Sequence, residues 1–346
     1  MLLRHNSTDK RTGLLMTRYS ILNAISLIFV LFSAVTAPIR GAELTVEPTH
    51  VTVTAGSIGG SYFVMNTAMF DIFSKHIEGL AYAIVPGGSV ANPIAINKGD
   101  AQFGLSFTND LKSAVIGQAP YSEPLTEIRA IANVGFEARL HVFVATELGV
   151  QSMEELVTEK PKLRVDTGPR GTGSELAAKR VLELHGYSYE DIRNRGGRVI
   201  HSQFREMVDR LKDGHLNALM YNDLLGAPLF ADLVSSRDVK LLSLEERVIG
   251  ILAGDFGYTP GIIPAGTYKG QNSDIATIKR HTIFICHKDM AEDLVYVMTK
   301  LMFEYRDDLA LAYRAFNIEE DKAAADLPLQ LHPGSERYYR ERGLIQ

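Results

Sequence analysis

The stretch Val51-Thr52-Val53-Thr54-Ala55-Gly56-Ser57-Ile58-Gly59-Gly60-Ser61-Tyr62 decides the fold. Its first four residues alternate apolar and polar, as a half-buried strand does. A Gly/Ser turn follows. From Tyr62 to Ile77, apolar residues recur at helical spacing through Phe63, Met65, Met69, Phe70 and Phe73. The same grammar returns later: Leu163-Arg164-Val165 leads into Gly168-Pro169-Arg170-Gly171-Thr172-Gly173-Ser174, and Glu175 to Leu184 reads as a helix. Short apolar runs at Tyr82 to Val85, Phe103 to Leu105, Ile128 to Ala132, His141 to Ala145 and Thr282 to Cys286 are further strands. Helical stretches lie between several of them, and a long one runs from Met290 to Tyr305. This alternation predicts an α/β protein with parallel sheets covered by helices on both faces. The recurrence of strand, turn and helix near residues 56 and 168 predicts two similar lobes, with those turns lining the cleft between them.

The length agrees. A chain of 346 residues exceeds one ordinary core and suits two domains of roughly 150 residues each. With 46% hydrophobic and 22% charged residues, wholesale disorder and a polytopic membrane protein are excluded. A net charge of -5 supplies no basic field, so no nucleic-acid partner is expected. The single cysteine, Cys286, excludes an intramolecular disulfide and any Cys-rich metal site. Its neighbours Ile283-Phe284-Ile285 make it a small buried hydrophobe.

Arg4, Lys10, Arg11 and Arg18 precede an apolar stretch from Ile21 to Val35, and small residues follow at Val35-Thr36-Ala37 and Arg40-Gly41-Ala42. A basic region, an apolar region and a small-residue site together describe a secretory signal over residues 1–37, with an uncleaved anchor as the alternative. The mature chain would then carry a net charge of -8, since four basic residues and one acid are lost. The working compartment expected from this signal lies outside the inner membrane.

Four turns are the candidates for binding chemistry. In Gly56 to Tyr62 the glycines allow close approach of the backbone, Ser57 and Ser61 offer hydroxyls, and a helix N-terminus offers amides to a small anion. The competing reading is a plain turn with Ser61 as helix cap. In Pro86-Gly87-Gly88-Ser89-Val90-Ala91-Asn92, Ser89 either caps a short helix or binds a ligand. Ser106-Phe107-Thr108-Asn109-Asp110 ends another strand and belongs on the same rim. Gly171-Thr172-Gly173-Ser174 repeats the anion-friendly design in the other lobe. The spacing fits neither a dinucleotide fingerprint nor a phosphate loop, so no cofactor is expected.

Catalysis has no support in the residue pattern. There is no His-x-x-x-His pair on a clear helix, no paired carboxylate set and no Gly-x-Ser-x-Gly turn, so the protein is read as a non-enzyme without a metal. His50, His76, His185, His201, His215 and His287 sit among polar residues and read as solvent-exposed. Asp166 and Asp223 could line the cleft, with a helix cap or surface carboxylate as the plainer role. Arg139, Arg170 and Arg193 could each meet an acidic ligand, and the pattern does not rank them.

Read together, six stretches resemble the TAXI family of TRAP-transporter solute receptors, from about residue 48 to the carboxyl terminus. They are Gly56 to Tyr62, Gly87-Gly88-Ser89 with Asn92, Gly168 to Ser174, Ile263 to Gln271, Asp293 to Tyr296, and Leu331 to Gly334 followed by Tyr338-Tyr339. The resemblance implies a type II periplasmic-binding-protein fold, two α/β lobes joined by two crossover strands near His141 to Ala145 and Thr282 to Cys286. Lobe 1 would comprise residues 38–143 and 284–346, and lobe 2 residues 144–283. It further implies a pocket formed by Ser57, Ile58, Gly60, Ser61 and Tyr62, by Gly88, Ser89 and Asn92, by Phe107 and Thr108, and by Gly171, Thr172, Gly173 and Ser174, with Tyr221 as an aromatic wall. Phe107 stands where the family usually has a polar amide, making that corner more apolar. The implied role is periplasmic: a monomer binds a small organic acid, a glutamate-like amino acid or a dicarboxylate, and delivers it to TRAP permease subunits driven by an ion gradient. An exported sensory or interaction module on the same fold, binding a ligand without transport, is the alternative.

Overall fold

In the computed structural model, residues 49–159, 162–325 and 327–346 are described. The expected signal segment lies outside them. The strand quoted above is β1, Thr49–Thr54, and the helix after it is α1, Ser61–His76. Then come β2 (Leu80–Val85), α2 (Ala91–Asn97), β3 (Phe103–Phe107), α3 (Thr108–Ile116) and the long β4 (Ile128–Ala145). The middle of the chain gives α4 (Met153–Glu159), β5 (Arg164–Asp166), α5 (Gly173–Leu184), α6 (Tyr189–Asn194), β6 (Arg198–Ile200), α7 (Phe204–Lys212) and β7 (Ala218–Asp223). It continues through α8 (Pro228–Ser236), β8 (Val239–Leu241), α9 (Glu246–Phe256) and β9 (Thr259–Ile263) to the second long strand, β10 (Ile275–His287). Three helices close the chain: α10 (Glu292–Glu304), α11 (Arg306–Ala312) and α12 (Pro333–Glu341). Among the described residues no helix is long and apolar enough to cross a membrane.

The strands follow the order β2-β1-β3-β10-β4-β7-β5-β6, with β8 added to β4 and β9 to β10. Pairing is parallel among β2, β1 and β3 and again among β7, β5 and β6, as the βαβ grammar predicts. It is antiparallel wherever β4 or β10 takes part, which the expectation of parallel sheets missed. The physical reason is that β4 carries the chain out of the first lobe and β10 carries it back. Each is shared: β10 pairs with β3 over Thr282 to Cys286 and with β9 over Ile275 to Lys279. The architecture is thus two α/β lobes, each built around part of the same two long strands.

The two short runs at Ile128 to Ala132 and His141 to Ala145 are one strand of 18 residues. Between them, Asn133, Gly135, Glu137 and Arg139 are half-exposed while Val134, Phe136, Ala138 and Leu140 are buried. The apolar run therefore continues as period-two alternation, which reads as a break when only unbroken apolar runs are sought.

Apolar clusters cover both faces. Across one face of the first lobe, Phe70 and Phe73 of α1 pack on Phe103 and Phe284, with ring centroids 5.3 to 6.3 Å apart. Cys286 is fully buried in that cluster, and burial pushes its thiol far above the ordinary range. On the opposite face, α2 and α3 bury Ile96 and Leu111 against Ile283 and Ile285. In the second lobe, α5 and α9 bury Val181 and Leu252 against Val142, Val165 and Met220. His141, on β4, is fully buried and held neutral, its pKa lowered to about 3 by desolvation. Its Nδ1 faces the Arg139 carbonyl at 2.9 Å and its Nε2 meets the Tyr268 hydroxyl at 2.8 Å.

Phe284 is contributed by a crossover strand and touches rings from β3 and α1. Phe284→Ala should lower unfolding stability by about 3–5 kcal/mol in urea titration, and a loss below about 1 kcal/mol would contradict this packing.

Candidate functional site

The Gly/Ser turns of both lobes meet. The turn after β1 closes with the Gly60 amide donating to the Ser57 carbonyl at 2.9 Å, and Gly59 takes φ +76° at its third position. A left-handed residue there favours glycine and directs the preceding side chain away from the sheet. Helix α1 then starts with Gly60 as N-cap and no side-chain cap, so Ser61 is the first helical residue and the competing reading of it as a cap does not hold. From the other lobe, α5 starts at Gly173 behind Thr172, whose Oγ1 accepts from the Glu175 amide at 3.3 Å. Two long helices thus present their positive ends to one place from opposite lobes.

That place is a cavity of about 50 Å³. Its wall comprises Gly56, Ser57, Gly60, Ser61 and Tyr62 from the first turn, Gly88, Ser89 and Phe107 from the same lobe, Thr172, Gly173, Ser174, Tyr221 and Asn222 from the second lobe, and Phe136 from β4. Among the described residues no carboxylate, amine or imidazole reaches this wall. Tyr62 and Tyr221 are buried, which pushes both phenols well above the ordinary range and keeps them neutral.

Most residues of the expected pocket therefore come together, and four do not. Ile58 is 69% exposed, because the Gly59 turn points it outward. Asn92 is fully buried, and its side chain is spent within the lobe. It donates to the Ala55 and Leu105 carbonyls, both at 2.7 Å, and accepts from the Gly88 amide and Thr54 hydroxyl. Thr108 begins α3 outside the wall, and the Gly171 carbonyl is occupied by the Ala91 amide at 3.1 Å. Phe136 and Asn222 join the wall without having been singled out. Asn222 is recognisable only as a polar residue within β7, all of whose residues are buried.

Hydrogen bonds hold the lobes together around the cavity. Ser89 is no helix cap: its hydroxyl donates to Asp110 Oδ2 at 2.6 Å and accepts from the Gly173 amide at 2.9 Å. The Gly173 carbonyl accepts from Arg280 Nη1 at 3.1 Å. Arg280 is the charged group that sequence reasoning overlooked. It lies on β10 between Lys279 and His281, where a charge reads as solvent-facing, yet its side chain is fully buried. The guanidinium stacks on Phe107 at 3.8 Å and stands 3.7 Å from Asp110, leaving Nε and Nη2 without partners. The Phe107 face thus receives a cation. Arg170 and Arg193 are exposed, and Arg139 is occupied by Glu137 and the Ile262 carbonyl, so none of those three reaches the cavity wall.

Asp223 and Asp166 are neither caps nor surface groups. Asp166 is buried and accepts from the Gly168 and Ser202 amides at 2.9 and 3.1 Å. Asp223 accepts from Ser61 Oγ and the Leu224 amide, both at 2.8 Å. With that proton committed, the Ser61 oxygen accepts from the Tyr313 hydroxyl at 2.8 Å. Burial raises the Asp223 pKa to about 6, although both hydrogen bonds pull it down. His185 also departs from expectation: its side chain is 4% exposed and bonded to Glu245.

The chain belongs to the NMT1-like family, which matches it over residues 53–343. Its fold is similar to that of MatC from Rhodopseudomonas palustris, solved with bound malate, at 13% identity and a TM-score of 0.54 over 87% of this chain and 100% of that one. It is similar also to PhnD1 from Prochlorococcus marinus, solved with methylphosphonate, at 14% identity and 0.51 over 86% and 100%. A protein described as a periplasmic transporter matches at 12% identity and 0.50 over 86% and 95%. These likenesses establish the two-lobed α/β fold of periplasmic binding proteins.

Two predictions follow from the cleft. A Cβ on Gly173 would lie 2.4 Å from Arg280 Nη1 and Ser89 Oγ and 2.7 Å from Asp110 Oδ2, all pinned by burial. Gly173→Ala should separate the lobes, raising the radius of gyration in small-angle scattering; unchanged scattering would count against this contact. The second concerns pH. A carboxyl raised from 3.8 to about 6 stabilises the fold when protonated. That contribution is complete below the unfolded value and is lost as pH rises through the folded one. Relative to Asp223→Asn, the wild type should lose up to about 3 kcal/mol in urea unfolding between roughly pH 4 and pH 7.5, and a pH-independent difference would refute it.

Proposed function

We propose that the chain is an extracytoplasmic solute receptor of the TAXI type. It binds a small organic acid, a glutamate-like amino acid or a dicarboxylate, between its lobes and delivers it to an ion-gradient-driven TRAP permease. It works in the periplasm as a monomer, binds no nucleic acid and turns nothing over. The observation that carries this reading is the cavity itself: two uncharged Gly/Ser turns, each opening a helix N-terminus, meet there from opposite lobes. Such ends attract an anion without placing a formal charge beside it. The buried Arg280, one layer behind Phe107 and Gly173, adds a positive potential in a medium where it is weakly screened.

The lobes, 38–143 with 284–346 and 144–283, hinge in this reading where β4 passes from β10 to β7 and where β10 passes from β3 to β9. Closure is driven only by contacts that a ligand makes with both lobes at once, since equal affinity for open and closed forms shifts nothing. The closed form is the one that docks on the permease.

Thermal unfolding with amino acids and with di- and tricarboxylates tests this. A ligand at about 100 times its Kd adds roughly 2.7 kcal/mol, a shift of several degrees in Tm. Absence of any shift across the panel would overturn the reading. Ser174→Leu should fill the cavity from the second lobe and weaken calorimetric binding of the identified ligand by about 10-fold or more, while circular dichroism still reports a folded protein; undiminished affinity would remove Ser174 from the site.

A further inference from the structure

One hydrogen-bonding side chain of the cavity wall, the Asn222 amide, has no partner among the described residues. Asn222 is 6% exposed, and neither its Oδ1 nor its Nδ2 makes a hydrogen bond. Asn222 is otherwise well fixed, its backbone amide donating to Ser174 Oγ at 3.1 Å and its β7 register facing Leu140. By contrast Ser61, Ser89, Thr172 and Ser174, from the same wall, all make hydrogen bonds within the protein. A buried amide with both ends unpaired is costly, so a guest that pairs them recovers that cost on binding.

The two ends of the amide ask for different things. Nδ2 donates and Oδ1 accepts, and interchanging them leaves one end of each kind. A carboxylate at neutral pH offers acceptors only, and would leave Oδ1 unpaired. A hydroxyl or ammonium group beside the carboxylate supplies the missing donor. The small cavity limits how far apart these groups can be. We propose that the cleft selects small 2-hydroxy or 2-amino acids over the same acids lacking that substituent, with Asn222 reading the substituent. This rests on the organic-acid reading of the cleft and narrows it.

The test uses matched pairs in calorimetry with the wild-type protein: malate against succinate, lactate against propionate, glutamate against glutarate. In at least one pair the substituted acid should bind about 10-fold or more tightly than its parent, because a site built around a polar group discriminates strongly against its absence. In Asn222→Ala that ratio should shrink to within about 3-fold. Equal binding within every pair that binds at all overturns the proposal and leaves the organic-acid reading standing, as does a ratio that persists in Asn222→Ala. No binding by any member removes the organic-acid reading and the proposal with it. The wild-type comparison decides even if the variant fails to fold.

Discussion

Everything in this molecule depends on the antiparallel pairing of β4 with β10. Their register runs from Lys279 opposite Arg139 to His287 opposite Ile128, and it carries irregularities near Ile283 and Ile285. Each strand is hydrogen-bonded into the first lobe at one end and into the second at the other. Neither lobe can therefore complete its sheet without residues that also belong to its neighbour. Phe284 on β10 packs on Phe70 of α1, and Phe143 on β4 packs on Phe230 of α8, so each long strand anchors aromatic packing. A pair of long strands bends more readily than a packed core compresses, which is why the hinge proposed above lies on the shared strands.

Around the cavity the physics is of polar groups buried in pairs. The Ser89 hydroxyl takes the Gly173 amide while Arg280 takes the Gly173 carbonyl, so the start of α5 is held on both its backbone groups by the other lobe and the crossover strand. Asp110 joins the same cluster through Ser89, and Asn109 Nδ2 donates to it at 2.7 Å. Removing one member of such a cluster leaves the remainder buried and uncompensated, which costs more than the bond itself contributes. Ser61 and Asp223 form the second tie across the cleft, and protonation of Asp223 changes what that tie can donate and accept. The contacts that tie the lobes together and those that set the electrostatics of the cleft are therefore the same.

Much of the site was legible because its turns obey local rules. Gly59 and the Gly60-to-Ser61 helix start follow from what a tight strand-to-helix turn requires of the backbone, whatever surrounds it. Two such turns in register implied two lobes and a shared cleft. What local rules could not supply was the use to which each hydroxyl is put. Ser61 and Ser89 look like caps in sequence, yet both reach across to the second lobe. Asn92 looks like a ligand contact, yet it stitches Ala55, Gly88 and Leu105 together.

Periodicity and turn chemistry, which act over a few residues, were enough by themselves to determine the alternation of strands and helices and the Gly/Ser turns that open α1 and α5. Tertiary structure alone decided that Arg280 lies buried over Phe107, that Asp223 faces Ser61, and that β4 runs unbroken through a stretch of alternating polar residues. The reason is sequence separation. Those contacts join residues up to 173 positions apart, as Arg280 and Phe107 are, and no local propensity records which distant partner will remove a charge from water.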